Sequence, residues 1–335
     1  MSRIAVMGGG AWGTAIALSL ARRGGHSLRL WTHSPDVAAE IRNSGENTAF
    51  LPGFPLPGEI EATSDAAEAL AATEIVVSVM PSHHVRSSYE SFAPHLKAGQ
   101  ILVSATKGIE DHTYLRMSEV IAEVLGNNNL SLACGVLSGP SFAQEVAAGA
   151  PTAVTIASSD AALAARVQRE FGSGTLRLYT NDDVVGVELG GALKNVIAIA
   201  AGIVSGLGLG HNSMAALITR GIAEVTRLAV ACGGRRETLA GLSGVGDLVL
   251  TCTGALSRNR WVGVELGRGR PLAEILAGLK GKVAEGVRTT SAALGLAELH
   301  GVELPIAEQV EAILQAGKSP RQAMQELMSR PGRDE

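Results

Sequence analysis

The stretch RIAVMGGGAWGTAIA, residues 3–17, decides the fold of this chain. A β-type run, RIAVM, leads into three successive glycines, and a run typical of a helix follows them. Gly8, Gly10 and Gly13 form a Gly-x-Gly-x-x-Gly pattern at this strand–helix turn. Such a turn brings the backbone close to a pyrophosphate, and the helix N-terminus offers N–H groups and the positive end of its dipole. The pattern predicts a dinucleotide site, with another nucleotide-like ligand such as S-adenosylmethionine as the alternative.

Beyond this turn, β-type and helical runs alternate up to about residue 180. Several of the β-type runs are almost continuously apolar, as is typical of parallel strands covered on both faces. The alternation predicts a Rossmann-like, doubly wound α/β sheet over residues 1–180, interrupted by a Pro/Gly-rich loop at 47–59. From residue 181 to 335 only helical patterns occur, which predicts an all-α second domain. The β-type runs after the first are SLRLWTH (27–33), EIVVSVM (74–80), QILVSAT (100–106), LACGVLS (132–138), TAVTIAS (152–158) and LRLYT (176–180).

Composition excludes several classes of protein. The 335 residues carry a net charge of −4, whereas nucleic-acid-binding proteins usually have an excess of basic residues. We therefore expect no nucleic-acid partner. The three cysteines are odd in number and far apart, which favours a reducing cytoplasm over a disulfide framework. His83 and His84 are neighbours without further ligand types at a useful spacing, and we expect no metal. The apolar stretch around Lys194 contains polar residues and glycines, so we interpret it as a buried helix and expect no integral membrane segment.

The second β-type run bears on the choice of cofactor. In NAD-binding sheets this strand normally ends in a carboxylate that binds the adenosine ribose. Here it ends in Trp31, Thr32 and His33. Nothing at this position would repel a 2′-phosphate, so NADPH is allowed. His33 either lines the adenosine side of the site or is an ordinary surface histidine.

Two further candidates follow predicted strands, where ligands of open α/β sheets bind. Lys107 follows QILVSAT, and it is either a ligand contact or a solvated loop charge. The loop SGPSFA, residues 138–143, follows LACGVL. Its residues Gly139, Ser141 and Ala143 indicate either a close approach to a ligand or an ordinary turn.

In the helical half, Asp247 precedes the triplet Ser257-Arg258-Asn259, which leads into a predicted helix. An arginine fork flanked by neutral donors at a helix start suits a phosphate. A helix N-cap followed by a surface arginine explains the same residues. Spacing alone leaves both interpretations open.

Lys194 lies in the apolar stretch GGALKNVIAIAAGI, residues 190–203. Long helical side chains lean back over the residues three and four positions earlier, which here are Gly191 and Gly190. Lys194 therefore emerges over bare backbone, with Asn195 beside it and no carboxylate three or four residues away. This arrangement favours a catalytic or ligand-binding lysine over a structural one.

Taken together, these motifs resemble the NAD(P)-dependent glycerol-3-phosphate dehydrogenases of the bacterial, cytosolic type along essentially the whole chain. The resemblance implies a Rossmann-like domain followed by an all-α domain like the C-terminal domain of 6-phosphogluconate dehydrogenase. The stretches that carry it are GGGAWGTA (8–15), PSH (81–83), ATKG (105–108), SGPSFA (138–143), GVELGGALKNVIAIAAG (186–202), ALITRG (216–221), GVGDLVLT (244–251), SRNR (257–260) and VAEGVRT (283–289).

The resemblance also implies an activity. It is the reversible reduction of dihydroxyacetone phosphate to sn-glycerol 3-phosphate with NADP(H) or NAD(H), for phospholipid synthesis in the cytoplasm. We also expect a homodimer. Lys194 would be the general acid/base. Substrate contacts would come from Lys107, Gly139, Ser141, Lys194, Asp247, Ser257, Arg258 and Asn259. Cofactor contacts would come from Gly8, Gly10, Ala11, Trp12, Gly13, His33, Lys107, Ala143, Arg258, Val283 and Glu285. Ala11 and Ser141 stand where many relatives have Ser and Thr, and Ala11 removes a side-chain contact while leaving the backbone cradle.

Two rival functions deserve comparison. One is a different dehydrogenase with a helical second domain, acting on a 3-hydroxyacid or on 6-phosphogluconate. The other is a dinucleotide sensor without catalysis, which does not explain why polar residues gather in the helical half.

Overall fold

The computed structural model describes residues 1–279 and 282–332. It divides into two compact units, one made of Met1–Lys107 and Arg116–Val187, the other of Gly108–Leu115 and the chain from Glu188 onward. The division falls a few residues beyond the expected boundary at 180/181, and the short segment after Lys107 groups with the helices. Residues 280–281 and 333–335 of the expected second domain lie outside the described residues.

The first unit is built on one eight-stranded sheet with the order β3-β2-β1-β4-β5-β6-β7-β8. Every neighbouring pair is parallel except β6 and β7, which are antiparallel. β1 and β4 are almost completely buried, as expected for central strands covered on both faces. The strands are β1 (Ser2–Met7), β2 (His26–Trp31), β3 (Ile60–Thr63), β4 (Ile75–Ser78), β5 (Ile101–Ser104), β6 (Ala133–Ser138), β7 (Thr152–Ala157) and β8 (Leu176–Asn181).

The sequence patterns identified seven of these strands and missed β3. Its four residues, IEAT, contain no apolar run and directly follow the Pro/Gly-rich loop. β3 forms because its backbone pairs with β2 along the edge of the sheet, with Leu28 opposite Ile60. The antiparallel β7 is likewise a departure from the purely parallel pattern that its apolar run indicates.

Helices cover the sheet of the first unit. Among those that start after a strand, several are capped by a side chain, as Ser34 caps α2 and Asp160 caps α7. The helices are α1 (Ala11–Arg23), α2 (Pro35–Ser44), α3 (Ala66–Leu70), α4 (Val85–Phe92), α5 (Met117–Asn127), α6 (Ala143–Ala148) and α7 (Ala161–Phe171), with 3₁₀ turns at Ser82–His84 and Ala93–His95.

Apart from the segment Gly108–Leu115, the described secondary structure of the second unit is helical. Its helical part begins within α8 and contains α8 (Val184–Gly206), α9 (His211–Ala231), α10 (Arg236–Leu239), a π-helical turn (Leu242–Gly246), α11 (Asp247–Thr253), α12 (Arg258–Gly267), α13 (Leu272–Gly278), α14 (Glu285–Leu299), α15 (Pro305–Ala316) and α16 (Pro320–Met328). By length and composition α8 could cross a bilayer, and so could the chain from α10 to α12, which bends by 49°. The apolar window of α8 is 94% buried inside the structure, as in the core helix of a globular domain.

Helices α8 and α12 touch backbone to backbone. A Cβ on Gly202 would lie 2.0 Å from the carbonyl oxygen of Arg260, and one on Gly263 would lie 2.0 Å from that of Ile199. Only hydrogen fits at either position. This contact holds the start of α12 beside the middle of α8, where Asn195 lies.

Helix α15 is fastened to α9 by a buried carboxyl group. Glu224 accepts the N–H of Ile306 at 2.8 Å, while within the described part of the chain its Oε2 has no hydrogen-bond partner. Burial raises the pKa of Glu224 to about 7, and the Glu308 carboxylate acts in the same direction. The backbone N–H groups of Ile306 and Ala307 and the Arg227 guanidinium oppose this shift in pKa.

We expect E224Q to alter the pH dependence of stability. Because the pKa of Glu224 is higher in the folded chain than its ordinary value of 4.5, its protonation stabilises the fold at low pH, and this contribution is lost as the pH rises to about 7. Glutamine does not titrate. As the pH rises from about 5 to 8, the free energy of unfolding of the variant should therefore increase by up to about 3 kcal/mol relative to that of the wild type. Urea unfolding across this range measures the difference.

The control is E298Q, which removes a charge from an exposed position on α14. Its difference from the wild type in unfolding free energy should not change with pH. A pH-independent difference for E224Q would contradict the assigned role of the buried carboxyl.

Candidate active site

The turn between β1 and α1 has the geometry of a phosphate cradle. Gly8 has φ +141°, and a Cβ there would lie 1.9 Å from the carbonyl oxygen of Val79. Gly13 packs so closely that a Cβ would lie 1.8 Å from the carbonyl oxygen of Gly8. A Cβ on Gly10 would meet nothing within 4 Å, so the turn is open on that side. The glycines serve the tight turn, the open face and the close helix–strand packing that a bound dinucleotide requires.

The N-terminus of α1 supplies donors to this open face. Gly10 is the N-cap and no side chain caps the helix, so the first-turn N–H groups, which lack intrahelical partners, are available to a ligand. Trp12 adds an indole Nε1 that is buried and unpartnered among the described residues. Ala11 contributes only backbone. These residues fit a dinucleotide pyrophosphate.

The end of β2 carries no carboxylate. Thr32 is buried and its hydroxyl donates to the carbonyl of Ser34 at 2.6 Å. His33 is exposed, and its ring lies 6.1 Å from that of Trp31 in an edge-on arrangement. Asp36, in the first turn of α2, is an exposed carboxylate near this strand end. Whether His33 contacts an adenosine stays a prediction.

The structure brings together the two loops that follow β5 and β6. The ammonium of Lys107 donates to the carbonyl of Gly139 at 3.3 Å, and the hydroxyl of Ser141 donates to the same carbonyl at 2.9 Å. Gly139 has φ +138° and lies against the backbone of Val154, so a side chain would be strained there. Ala143 begins α6 directly after this loop. The SGPSFA loop is therefore a close-packed structure that holds the lysine head.

In the helical unit, Lys194 on α8 forms an ion pair with Asp247, the first residue of α11. Both side chains are buried, Lys194 at 8% and Asp247 at 0% relative exposure. No carboxylate lies three or four residues from Lys194 on its own helix, and the partner comes instead from residues distant in sequence. A catalytic or ligand-binding role for Lys194 stays a prediction.

The bare backbone beneath Lys194 is occupied by protein. A Cβ on Gly190 would lie 2.6 Å from the carbonyl oxygen of Ser243, which belongs to the π-helical turn ahead of α11. Because Gly190 has no side chain, that turn packs directly onto α8, which places Asp247 beside Lys194. Thr251 supports the same group, since its hydroxyl donates to the Asp247 carbonyl at 2.6 Å.

Beside this pair, a chain of amide hydrogen bonds connects three helices. Asn259 Nδ2 donates to Asn195 Oδ1 at 2.9 Å, and Asn259 Oδ1 accepts the backbone N–H of Gly286 at 2.9 Å. Asn259 therefore ties α12 both to α8 next to Lys194 and to the first turn of α14. Ser257 is the N-cap of α12, with its hydroxyl accepting the N–H of Arg260 at 3.2 Å, so the N-cap interpretation describes its side chain.

Arg258, Val283 and Glu285 lie near these amides in sequence and in the same unit. Arg258 is exposed by accessible surface, although enough protein surrounds its guanidinium to lower the pKa of that group, while the Glu285 carboxylate raises it. The guanidinium nevertheless stays charged at neutral pH, because the ordinary pKa of arginine lies far above this range. Glu285 opens α14, and Val283 precedes it half-buried. Their predicted contacts with a dinucleotide stay predictions.

Within residues 1–279 and 282–332, no three His, Cys, Asp or Glu side chains gather in a way that would hold a metal ion. His83 and His84 stack on each other with ring centroids 4.0 Å apart.

Comparison with known proteins matches both halves of the chain to one family. A model described as the N-terminus of NAD-dependent glycerol-3-phosphate dehydrogenase matches residues 3–164, and its C-terminal counterpart matches residues 183–325. Glycerol-3-phosphate dehydrogenase [NAD(P)+] of Acidobacterium capsulatum is 70% identical over 338 residues, covering 100% of both chains. That of Koribacter versatilis is 62% identical, covering 100% of this chain and 99% of its own.

Solved structures give the same result. Glycerol-3-phosphate dehydrogenase from Coxiella burnetii has a TM-score of 0.93 and 41% identity, with 98% of this chain and 99% of that chain covered. A PanE/ApbA family ketopantoate reductase from Ralstonia eutropha has a TM-score of 0.59 at 16% identity, covering 96% and 99% of the two chains, and shares the fold alone.

Proposed function

Because the chain belongs to the NAD-dependent glycerol-3-phosphate dehydrogenase family, we propose that it reduces dihydroxyacetone phosphate reversibly to sn-glycerol 3-phosphate. It is an oxidoreductase that uses NAD(P). The observation that carries the assignment of residues is the buried Lys194–Asp247 pair, which stands next to the amide chain through Asn195 and Asn259. An ammonium held in this way is a charged proton donor kept at a defined place.

The chemistry assigns a role to each of these side chains. A bound dinucleotide supplies the hydride that reduces C2 of the ketone. The Lys194 ammonium donates a proton to the developing alkoxide and stabilises its charge, and in the reverse direction the neutral amine accepts the hydroxyl proton. Asp247 keeps the ammonium oriented and compensates its charge, because an isolated buried ammonium is costly.

The start of α12 is the proposed phosphate site. Arg258 offers a charged fork, and Ser257 can donate its hydroxyl while its oxygen still caps the helix. Among the described residues, only one of the two Nδ2 hydrogens of Asn259 has a partner, and the other can reach an acceptor. In the first unit, Lys107, Gly139 and Ser141 are proposed to contact the substrate, and Lys107 and Ala143 the cofactor. These contacts would orient C2 without taking part in bond making.

The direct test is loss of NADPH absorbance with dihydroxyacetone phosphate. We expect turnover with this substrate, no loss of NADPH with 2-ketopantoate, and no formation of NADPH from NADP+ with 3-hydroxyacids or 6-phosphogluconate. Binding of NADPH without turnover of any of these would favour the dinucleotide sensor. Oxidation of a hydroxyacid instead would assign the chain to a different dehydrogenase.

We also propose that the enzyme works in the cytoplasm, supplies glycerol phosphate for phospholipid synthesis and forms a homodimer. The location is supported by cysteines that are all present as thiols. Light scattering coupled to gel filtration measures the oligomeric state.

We expect NADPH to be used at least as well as NADH. The reason is that β2 ends in Thr32 and exposed His33, with no carboxylate to repel a 2′-phosphate. The ratio of kcat/KM for the two cofactors decides the matter. A strong preference for NADH would show that another acidic group, such as Asp36, binds the ribose.

S34D sharpens this test. Aspartate is as good an N-cap as serine, so α2 keeps its start while a carboxylate is added at the strand end. We expect the NADPH/NADH ratio of kcat/KM to fall about tenfold or more, as for an unfavourable charge contact of about 1.4 kcal/mol. An unchanged ratio would remove this strand end from the adenosine site.

A further inference from the structure

The loop of residues 45–59, between α2 and β3, folds into a braced structure that packs on the glycine turn. Its two ends meet where the N–H of Leu56 donates to the carbonyl of Gly45 at 2.7 Å and where Glu46 pairs with Pro55. Leu51 in its middle is buried at 1% relative exposure. The loop therefore has a defined conformation, although its Pro/Gly content indicated only a connection.

Asn47 is the point at which this loop holds the turn. Its side chain is 0% exposed, and Nδ2 donates both to the carbonyl of Gly9 and to the hydroxyl of Thr14, each at 2.8 Å. The amide orientation follows from its other end, because Oδ1 accepts the N–H of Phe50 at 3.3 Å. One amide nitrogen thus uses both of its hydrogens on the two flanks of the turn.

The two flanks bracket the cradle itself. Gly9 precedes and Thr14 follows residues 10–13, which contain the open glycine and the first N–H groups of α1. We propose that Asn47 is a positioning residue for the dinucleotide, which holds the turn in its phosphate-binding shape before the cofactor arrives. The inference rests on the proposed cofactor class and extends it to a residue distant from the fingerprint. A preformed turn binds more tightly because less order must be gained on binding.

Loss of the amide has two consequences. The Gly9 carbonyl loses its buried partner, and residues 10–13 gain freedom that the cofactor must remove on binding. The unpaired carbonyl lowers the stability of the free and the cofactor-bound protein alike, so the added freedom is what weakens binding. Fixing the backbone of one residue corresponds to a change of about tenfold in an equilibrium constant. We therefore expect N47A to raise the Kd of NADPH at least about tenfold, measured per folded molecule.

The matched control is Q100A. Gln100 is another buried amide of the same unit, donating to the carbonyl of Thr73 at 2.9 Å and accepting the N–H of Lys97 at 2.7 Å. It precedes β5, which runs parallel to β4 and β1, and so lies at the opposite end of the strands from the glycine turn, which follows β1. We expect Q100A to lower the melting temperature as N47A does while leaving the Kd of NADPH unchanged.

The experiment is a fluorescence titration of NADPH on the full chain, with melting temperatures measured without cofactor. T14V keeps the approximate volume of Thr14 and leaves the hydrogen bond from Asn47 to Gly9 intact, so it should raise the Kd of NADPH by a smaller factor than N47A does. The Kd of N47A/T14V should be no higher than that of N47A alone. ADP-ribose contains the pyrophosphate, so its Kd should rise in N47A by the same factor as that of NADPH. Adenosine 2′-monophosphate, which carries no phosphate on its 5′-oxygen, should bind N47A as tightly as it binds the wild type.

The outcomes test the positioning role of Asn47 separately from the proposed function of the chain. A native Kd in N47A with a lowered melting temperature would make Asn47 merely structural and overturn the inference. If N47A does not fold, T14V decides, and a wild-type Kd in that folded variant would overturn it equally. Failure of the wild type itself to bind either NADPH or NADH would instead overturn the proposed function.

Discussion

Replacing Lys194 by methionine is expected to lower kcat by about 10²-fold or more in both directions, the usual loss when a general acid/base is removed. Methionine keeps the apolar stem and removes the titrating group. The Kd of NADPH should stay near the wild-type value, because the cradle for the cofactor is built from the first unit. Steady-state rates in both directions, with a parallel NADPH titration, test this.

The pH profile provides an independent measurement. Oxidation of glycerol 3-phosphate needs the neutral amine, so the wild-type rate should rise with pH over the range in which Lys194 loses its proton. Ketone reduction needs the ammonium and should fall over the same range. Both transitions should disappear in K194M.

Two further variants guard against loss of folding. K194M removes the Lys194 ammonium from beside the buried Asp247 carboxylate, whereas K194M/D247N removes both charges of the pair and should recover thermal stability without recovering kcat. K318M removes a lysine of the same unit that is also paired, here with Glu326, and should keep the wild-type kcat. If K194M retains most of its kcat and the wild-type pH profile, the proton is transferred by another group, and Lys107 is the next candidate.

Arg258→Ala is expected to raise the KM for dihydroxyacetone phosphate by about 10²-fold, as for loss of a bidentate, charge-assisted contact of a few kcal/mol. Arg258 is the first residue of α12, between the N-cap Ser257 and Asn259, whose amide donates to Asn195. An arginine fork beside neutral donors at a helix start suits an anion. R258K keeps the charge without the fork and should recover only part of the affinity.

The non-phosphorylated ketone dihydroxyacetone identifies what Arg258 binds. It lacks the phosphate, so its kcat/KM should be almost the same in R258A and in the wild type. R268A, at the other end of α12, removes an exposed arginine paired with Glu265 and should leave both substrates unaffected. If R258A lowers kcat/KM equally for both ketones, or raises the Kd of NADPH while leaving the KM for dihydroxyacetone phosphate unchanged, Arg258 binds the cofactor and not the substrate phosphate.

The comparison of β1 with β3 shows where prediction from sequence succeeds. β1 and the glycine turn are marked by an apolar run and by residues that only a tight turn requires, so both can be located from neighbouring residues. β3 has four residues without such a run, and it forms because an edge of β2 is available for pairing. Local patterns contain no information about a pairing partner that lies elsewhere in the chain.

The candidate site divides in the same way. Lys194 in an apolar helix, Lys107 at a strand end and the Ser-Arg-Asn triplet at a helix start were all recognisable from sequence. The sequence did not indicate that Asn47, in a Pro/Gly-rich loop, would hold the glycine turn. It also did not indicate that Gly202 and Gly263 would bring α8 and α12 into backbone contact.

By itself, then, the sequence determined the glycine turn, most of the sheet, the helical second half and the residue types available for chemistry. These depend on side-chain periodicity and backbone preference over a few neighbouring residues. Only the tertiary structure decided which groups meet. Asn47 and Thr14 are 33 positions apart, Lys194 and Asp247 are 53 apart, and Asn195 and Asn259 are 64 apart. Such pairs form because packing of whole helices and loops buries their polar groups together, and buried polar groups must then satisfy one another.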